Sequence, residues 1–149
     1  MKNHELEKNS LDLSPANINL VNIEINTDAD IVVARQEARE LAKHLEFSSS
    51  ELAVIAAAIS ELARNIVSYA RKGTISFGII TENRKRGFLV IARDNGPGIA
   101  NIKLAMQQGY STSNSLGLGL PGVKRLMDTF EISSELGAGT SVIVKKWIS

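Results

Sequence analysis

The sequence predicts an α+β fold, a two-layer sandwich in which a mixed β-sheet carries helices on one face. Three observations support this prediction. Apolar and polar residues alternate between residues 19 and 26, as they do in a half-buried strand. Apolar residues then recur at helical spacing in two successive segments that end near residue 71. Strand-like segments follow in pairs at residues 74–93 and 131–148, and such grouping of helices and strands is typical of α+β domains.

Length and composition limit the possible functions. The 149 residues have the length of a single domain, and we expect a mobile extension over residues 1–18 and one domain over residues 19–149. The net charge of +1 gives no global basic field for nucleic acid or an anionic membrane. The chain has no cysteine, which excludes disulfides and thiolate chemistry. No apolar run approaches the roughly 20 residues that span a bilayer, so we expect a cytoplasmic protein.

Two helix starts are visible before residue 52. Thr27 with Asp30 resembles a capping box, and Ser48 with Glu51 is a complete S-x-x-E box. The second box opens the longest periodic segment, which runs to about residue 71 and which Gly73 is predicted to end. Its core face is predicted to comprise Leu52, Ile55, Ile59, Leu62, Ile66 and Tyr69.

Two polar residues of this second helix stand apart from its apolar stripe. Glu61 and Asn65 are four residues apart, so they lie on one face of the helix. A solvated flank with an i,i+4 hydrogen bond is the ordinary interpretation of such a pair. The pair by itself does not establish a functional site.

The string D-N-G-P-G follows the apolar strand that ends near residue 93. Asp94 at the end of a strand, with Gly96 and Gly98 after it, can read a hydrogen-bond donor on a flat ligand. A tight turn in which the aspartate accepts backbone hydrogen bonds is an equally valid interpretation. The basic tip N-R-K-R-G of the preceding hairpin is interpreted as a solvated turn.

A glycine-rich stretch over residues 109–128 runs into a helix that is predicted to end near Phe130. Such a junction suits an anion, because glycines allow close approach and the helix start offers free N–H groups. A glycine-rich loop before an ordinary helix remains the alternative. Two strands joined by G-A-G-T complete the chain.

Four motifs occur in a definite order: E-L-A-R-N at 61–65, D-N-G-P-G at 94–98, glycines from Gly117, and G-A-G-T ending at Thr140. Together they resemble the ATP-binding fold of histidine kinases, gyrase and MutL, the GHKL or Bergerat family, over about residues 20–148. The strings S-E-L-A-R-N, G-Y-S-T-S and G-L-P-G-V-K-R-L-M-D resemble the RsbT-type branch, the stressosome switch-protein serine/threonine kinases. They resemble the sigma-binding branch less.

The resemblance implies a role for each motif. Asn65 would ligate the Mg²⁺ that bridges the ATP phosphates, and Glu61 would be the general base for the attacking hydroxyl. Asp94 would accept a hydrogen bond from the adenine amino group, supported by Thr140, while Gly96 and Gly98 keep the pocket open. The lid and the phosphate-facing box would comprise Ser111, Thr112, Gly117, Leu118, Gly119 and Leu120.

The resemblance also implies a function. It indicates an ATP- and Mg²⁺-dependent kinase that phosphorylates STAS-domain scaffold or antagonist proteins in bacterial stress signalling and switches partners to activate a PP2C-type phosphatase. Neither nucleic acid nor a membrane is an expected partner. One alternative is a nucleotide-dependent anti-sigma-factor binding module. A second is an ATPase of the gyrase or MutL kind, which we expect less because the sequence shows no transducer segment after the ATP-binding motifs.

Overall fold

The computed structural model describes residues 19–107 and 119–148. Its described strands form a five-stranded sheet in the order β1-β2-β3-β5-β4. The predicted extension, residues 1–18, lies outside the described residues. The strands are β1 (Val21–Ile25), β2 (Gly73–Glu82), β3 (Lys85–Asp94), β4 (Thr129–Glu135) and β5 (Gly139–Trp147), and the helices are α1 (Asp28–Ala42), α2 (Ser49–Asn65), α3 (Ile102–Ala105) and α4 (Gly119–Leu126).

The predicted α+β sandwich is confirmed, but the prediction of a mixed sheet is wrong for the described strands. Every neighbouring pair is antiparallel. Two helices connect β1 to β2, so the chain returns to the end where β1 stopped, and β2 must run back beside it. Strands β3 and β4 do run in the same direction, but β5 lies between them and pairs with both.

Both predicted capping motifs fix the start of a helix. The Oδ2 atom of Asp30 accepts hydrogen bonds from the backbone N–H groups of Asn26 and Thr27 at 2.8 and 3.0 Å. These two donors hold the pKa of the Asp30 carboxyl below its usual value. At α2, Ser48 Oγ accepts from Glu51 N at 3.1 Å, and Glu51 Oε1 accepts from Ser48 N at 2.8 Å. Each box therefore satisfies backbone donors that helix geometry leaves unpaired.

The main core lies between α2 and the inner face of the sheet. Four residues of the predicted α2 stripe are buried there, namely Ile55, Ile59, Leu62 and Ile66. They share one cluster with the inward-facing residues of the central strands, which are Ile75, Phe77, Phe88, Val90, Val142 and Val144. Burial of side chains this size stabilises the fold by about 1.5–3 kcal/mol each. The position of α2 across the sheet is therefore strongly determined.

The last turn of the long helical segment departs from the prediction. Residues Ile66–Ala70 form a π-helical turn, which shifts the phase of its own residues relative to the α-helical stripe before it. Tyr69 is therefore 49% exposed instead of extending the core stripe. The chain reverses at Arg71, whose φ is +74°. Gly73 does not cap the helix; it is the first residue of β2.

The continuous helical stretch Ser49–Ala70 is long and apolar enough, by length and composition, to cross a membrane. This finding corrects the expectation that no apolar segment approaches the length of a membrane span. Helices buried in a domain core meet the same criterion, and half of the apolar window is buried inside the protein. The stretch packs against the sheet as its central helix.

Helix α4 is shorter than predicted. It ends at Leu126, and β4 begins at Thr129, so Phe130 lies in the sheet. Phe130 pairs with Val144 of β5 and packs at the edge of the main core. Burial in the sheet therefore outweighs the helical periodicity that extended the prediction to residue 130.

The β4–β5 turn packs against the end of β3. Gly139 has a φ of +112°, and a Cβ atom on it would lie 2.0 Å from the carbonyl oxygen of Asp94. Gly137, two residues earlier, has a φ of +79°, but a Cβ atom on it would meet no other atom within 4 Å. Of these two glycines, only Gly139 is therefore constrained by both conformation and space.

This difference predicts unequal costs for two alanine substitutions. Gly137→Ala should lower the free energy of unfolding by about 1–2 kcal/mol, the cost of a left-handed conformation. Gly139→Ala should lower it by about 2–5 kcal/mol, because overpacking adds about 1–3 kcal/mol. Urea unfolding of the two variants and the wild type measures both values. Equal losses would show that the approach of Gly139 to Asp94 is not a tight contact.

Candidate active-site cleft

A cleft of about 380 Å³ opens between the C-terminal end of α2 and the segment that follows β3. Its size falls within the range of small-molecule sites. Residues from α2 and the π-helical turn line it, and so do residues 97–101, Leu104 and Ala105. Ala92, Asp94, Thr140 and Val142 line it from the sheet, and Gly119 and Leu120 line it from the start of α4.

Asp94 lies at the sheet end of the cleft and is half-buried. Its Oδ1 atom accepts hydrogen bonds from the backbone N–H groups of Gly96 at 2.9 Å and Thr140 at 3.3 Å. No described residue donates to Oδ2. The carboxylate is thus fixed through one oxygen, and its other oxygen can accept a hydrogen bond from a ligand in the cleft.

Three glycines allow the backbone to close around Asp94. A Cβ atom on Gly73 would lie 2.4 Å from Arg93 O, and one on Gly96 would lie 2.6 Å from Ala70 Cβ. Gly98 has a φ of +81° and would meet Glu135 O at 2.3 Å. Of these, Gly98 lines the cleft, whereas Gly96 holds the loop against the π-helical turn.

Ser134 connects the two sides of the Asp94 end. Its Oγ atom accepts a hydrogen bond from Ile99 N at 2.7 Å and donates to Gly139 O at 3.1 Å. Since a hydroxyl has one proton, the 2.8 Å contact between Ser134 Oγ and Thr140 Oγ1 is donated by Thr140. Ser134 therefore fixes both Thr140 and the backbone at Ile99, two residues that line the cleft.

The helical wall carries the two predicted polar residues, but only one of them lines the cleft. Asn65 lines it, one position before the π-helical turn that contributes Ile66, Tyr69 and Ala70. Glu61 lies one turn further from Asp94 and is not a lining residue. The structure therefore brings Asn65, Asp94 and Thr140 to one cavity and places Glu61 beside it.

Glu61 is buried, with only 6% of its side chain exposed. Its Oε2 atom accepts a hydrogen bond from Arg64 at 2.8 Å, whereas its Oε1 atom is buried without a partner among the described residues. The interpretation of Glu61 as a solvated flank paired with Asn65 is thus wrong. A buried carboxylate oxygen without a donor costs about 1–3 kcal/mol or more.

The third motif, the glycine box with its lid, falls mostly outside the described residues. Ser111, Thr112, Gly117 and Leu118 are not among residues 19–107 and 119–148. Gly119, with a φ of +52°, and Leu120 form the first turn of α4 and line the cleft. The next three residues of α4 are buried, so the helix start is held beside the cavity and can face an anion there.

Several residues that shape the cleft have no predicted role in the sequence. For Ser134 the sequence does contain an indication. Strand alternation places it on the same face as Phe130 and Ile132, where a polar side chain needs a hydrogen-bond partner. In the sequence, Gly139 is marked only by its place in the string G-A-G-T. For the apolar residues Ile99 and Leu104, which line the cleft, the sequence contains no such indication, because their position depends on how the chain folds after β3.

These residues fit a magnesium-bound adenine nucleotide. From Ala70 in the π-helical turn, which contacts the loop at Gly96, the chain runs back through Asn65 to Glu61 in α2 and so away from the Asp94 end. The cleft can hold a flat base beside Asp94, with phosphates near Asn65 and the start of α4. The described residues contain no group of three or more His, Cys, Asp or Glu that could hold a metal ion, and Mg²⁺ commonly takes few protein ligands beside substrate phosphates.

Residues 26–146 match the histidine kinase-like ATPase domain family. The chain is 50% identical to the serine/threonine-protein kinase RsbT of Bacillus subtilis strain 168 over 126 residues, which are 85% of this chain and 95% of the relative. It is 31% identical to an anti-sigma F factor of Clostridium acetobutylicum, covering 76% and 82% of the two chains.

A crystal structure of the RsbU and RsbW domains of a Mycobacterium tuberculosis protein superposes with a TM-score of 0.57 at 18% identity. It covers 89% of this chain, and this chain spans 33% of that one. At this identity the likeness concerns the fold alone. The family match covers most of the chain and includes the segment with the four motifs, and the chain belongs to the histidine kinase-like ATPase domain family.

Proposed function

We infer that this protein is an ATP-dependent serine/threonine protein kinase that acts in the cytoplasm on STAS-domain partner proteins of bacterial stress signalling. The observation that carries this proposal is the buried, half-partnered carboxylate of Glu61 one helical turn from the cleft-lining Asn65. The similarity to a serine/threonine-protein kinase over 95% of that relative supports the same reaction.

The reaction needs positioning and charge neutralisation more than covalent catalysis. The hydroxyl oxygen of the acceptor forms a bond to the γ-phosphorus, the bond from that phosphorus to the bridging oxygen breaks, and ADP leaves. Glu61 accepts the hydroxyl proton, and Asn65 is the residue that would hold the metal, through its amide oxygen. When bound, Mg²⁺ neutralises charge on the phosphates. The described N-terminal turn of α4 presents backbone N–H groups to the same charge.

Partner switching is the proposed biological output. In this scheme the kinase binds a STAS-domain scaffold, phosphorylates it and, on release, activates a PP2C-type phosphatase. The relatives include both a protein kinase and anti-sigma factors, which supports a domain that alternates between protein partners.

Replacement of Asp94 by Asn tests the base-binding end of the cleft. The new amide oxygen can keep the backbone donors of Gly96 and Thr140, which directs the NH₂ group toward the adenine amino group. Loss of a charge-assisted hydrogen bond costs about 1.5–3 kcal/mol, so the Kd for ATP should rise about 10- to 100-fold. Calorimetry measures it, with Asp28→Asn on the exposed start of α1 as the control. An unchanged Kd for Asp94→Asn would refute the assigned role.

Replacement of Glu61 by Gln tests the proposed base. The amide has nearly the same shape and can keep a hydrogen bond from a neighbouring side chain, but it cannot accept the hydroxyl proton. Phosphoryl transfer should fall at least about 100-fold, the usual contribution of a general base, while the Kd for ATP stays within about twofold. Glu37→Gln on the exposed face of α1 is the matched control. Undiminished transfer by Glu61→Gln would exclude this residue as the base.

The similarity to anti-sigma F factors favours one alternative, a binding module whose bound nucleotide sets its affinity for a sigma factor. Incubation with γ-labelled ATP and purified partners separates the two functions. Label on a serine or threonine of a STAS-domain protein is the result expected for the kinase. A stable nucleotide-dependent complex with a sigma factor, without label on any partner, would instead establish the binding module.

A further inference from the structure

The ion pair between Glu61 and Arg64 is asymmetric. Glu61 is the only acidic residue that is buried in the described part of the chain, and only 6% of its side chain is exposed, against 36% for Arg64. The guanidinium group contacts Oε2 at 2.8 Å, whereas Oε1 has no donor among the residues that the structure describes. One oxygen of the carboxylate is therefore fixed, and the other keeps its lone pairs.

This arrangement differs from that of the capping carboxylates. Asp30 Oδ2 accepts from Asn26 N, Thr27 N and Thr27 Oγ1, so its lone pairs are used to stabilise a helix start. Glu51 Oε1 accepts from Ser48 N in the same way. Glu61 caps nothing. An unpartnered buried acceptor is costly in a folded protein, and a catalytic role is one explanation for it.

The helix itself determines the geometry of the pair. Glu61 and Arg64 are three residues apart on α2, a spacing that places their side chains side by side. Residues 58–63 of α2 are all buried, so packing fixes the rotation of the helix and with it the positions from which both side chains extend. Within residues 19–107 and 119–148, Arg64 is the only residue that forms an ion pair with Glu61.

We propose that Arg64 is a positioning residue that holds the Glu61 carboxylate in one orientation, so that Oε1 is the oxygen that takes the proton from the acceptor hydroxyl. The inference rests on the proposed kinase function and deepens it. In the transfer step the acceptor O–H bond breaks, its proton passes to Oε1, the acceptor oxygen bonds to phosphorus, and ADP carries away the bridging oxygen. Arg64 contacts only Oε2 throughout the step.

A positioning role predicts that loss of Arg64 lowers the rate of phosphoryl transfer but leaves the binding of ATP and of the acceptor unchanged. A base that is oriented by a third group loses catalytic efficiency when that group is removed, but ground-state binding of ATP does not depend on it. Arg64→Gln should therefore lower kcat for phosphoryl transfer about 10- to 100-fold, a part of the full contribution of the base. The KM for the protein acceptor and the Kd for ATP should each stay within about twofold.

Two further variants complete the experiment. Arg64→Lys keeps the charge but not the planar guanidinium, so its kcat should lie between those of the wild type and Arg64→Gln. Arg39→Gln, on the exposed face of α1 and without an ion pair in the described part of the chain, should behave as the wild type. Steady-state kinetics with a serine-bearing protein acceptor, calorimetry with Mg²⁺-ATP, and thermal unfolding are measured for every variant.

Three results would overturn the inference. A kcat of Arg64→Gln within twofold of wild type would show that the pair does not position the base. An increase in the Kd for ATP that matches the loss of kcat would show that Arg64 acts on the nucleotide. If Arg64→Gln does not fold, a folded Arg64→Lys with wild-type kcat would assign Arg64 a structural role alone.

The wild-type protein separates this inference from the function on which it rests. If it transfers label to the acceptor and Arg64→Gln does so equally well, only the positioning role is refuted. If the wild type binds ATP but transfers no label to any acceptor, the kinase proposal and the role of Arg64 are refuted together.

Discussion

The packing of α2 across the centre of the sheet is the constraint on which the site depends. Ile55, Ile59 and Leu62 are buried against the inner residues of β2 and β3, and this contact determines which face of α2 is turned to the cleft. The π-helical turn then changes the phase after Asn65, so that Tyr69 and Ala70 line the cavity. Without that packing, neither Asn65 nor Glu61 would have a defined position relative to Asp94.

The second constraint acts at the end of β3, where backbone segments approach closely. Gly139 lies against Asp94 O, and Gly96 lies against Ala70. These approaches leave the Asp94 carboxylate with two backbone donors on one oxygen. A polar group held in this way is oriented before a ligand arrives, which reduces the ordering cost of binding. The two ends of the site therefore have different supports, side-chain packing at one and glycine contacts at the other.

The sequence predicted those parts of the fold that depend on local chemistry. The Ser48 and Glu51 box starts α2 as expected, and the alternation in residues 19–26 is a strand. Asn65, Asp94 and Thr140 line one cleft, as the family resemblance implied. The predictions that were wrong concern features that depend on tertiary structure. The burial of Glu61 requires that neighbouring elements cover its flank, and the exposure of Tyr69 requires a π-helical turn that no residue spacing reveals.

We propose that a magnesium-bound adenine nucleotide occupies the cleft between α2 and the segment after β3. Calorimetric titration of the purified, folded protein with ATP, in the presence and absence of Mg²⁺, tests this claim most directly. We expect binding at a single site, with affinity that weakens when the metal is removed. If the folded protein takes up neither ATP nor ADP with Mg²⁺ present, the assignment of the cleft is contradicted.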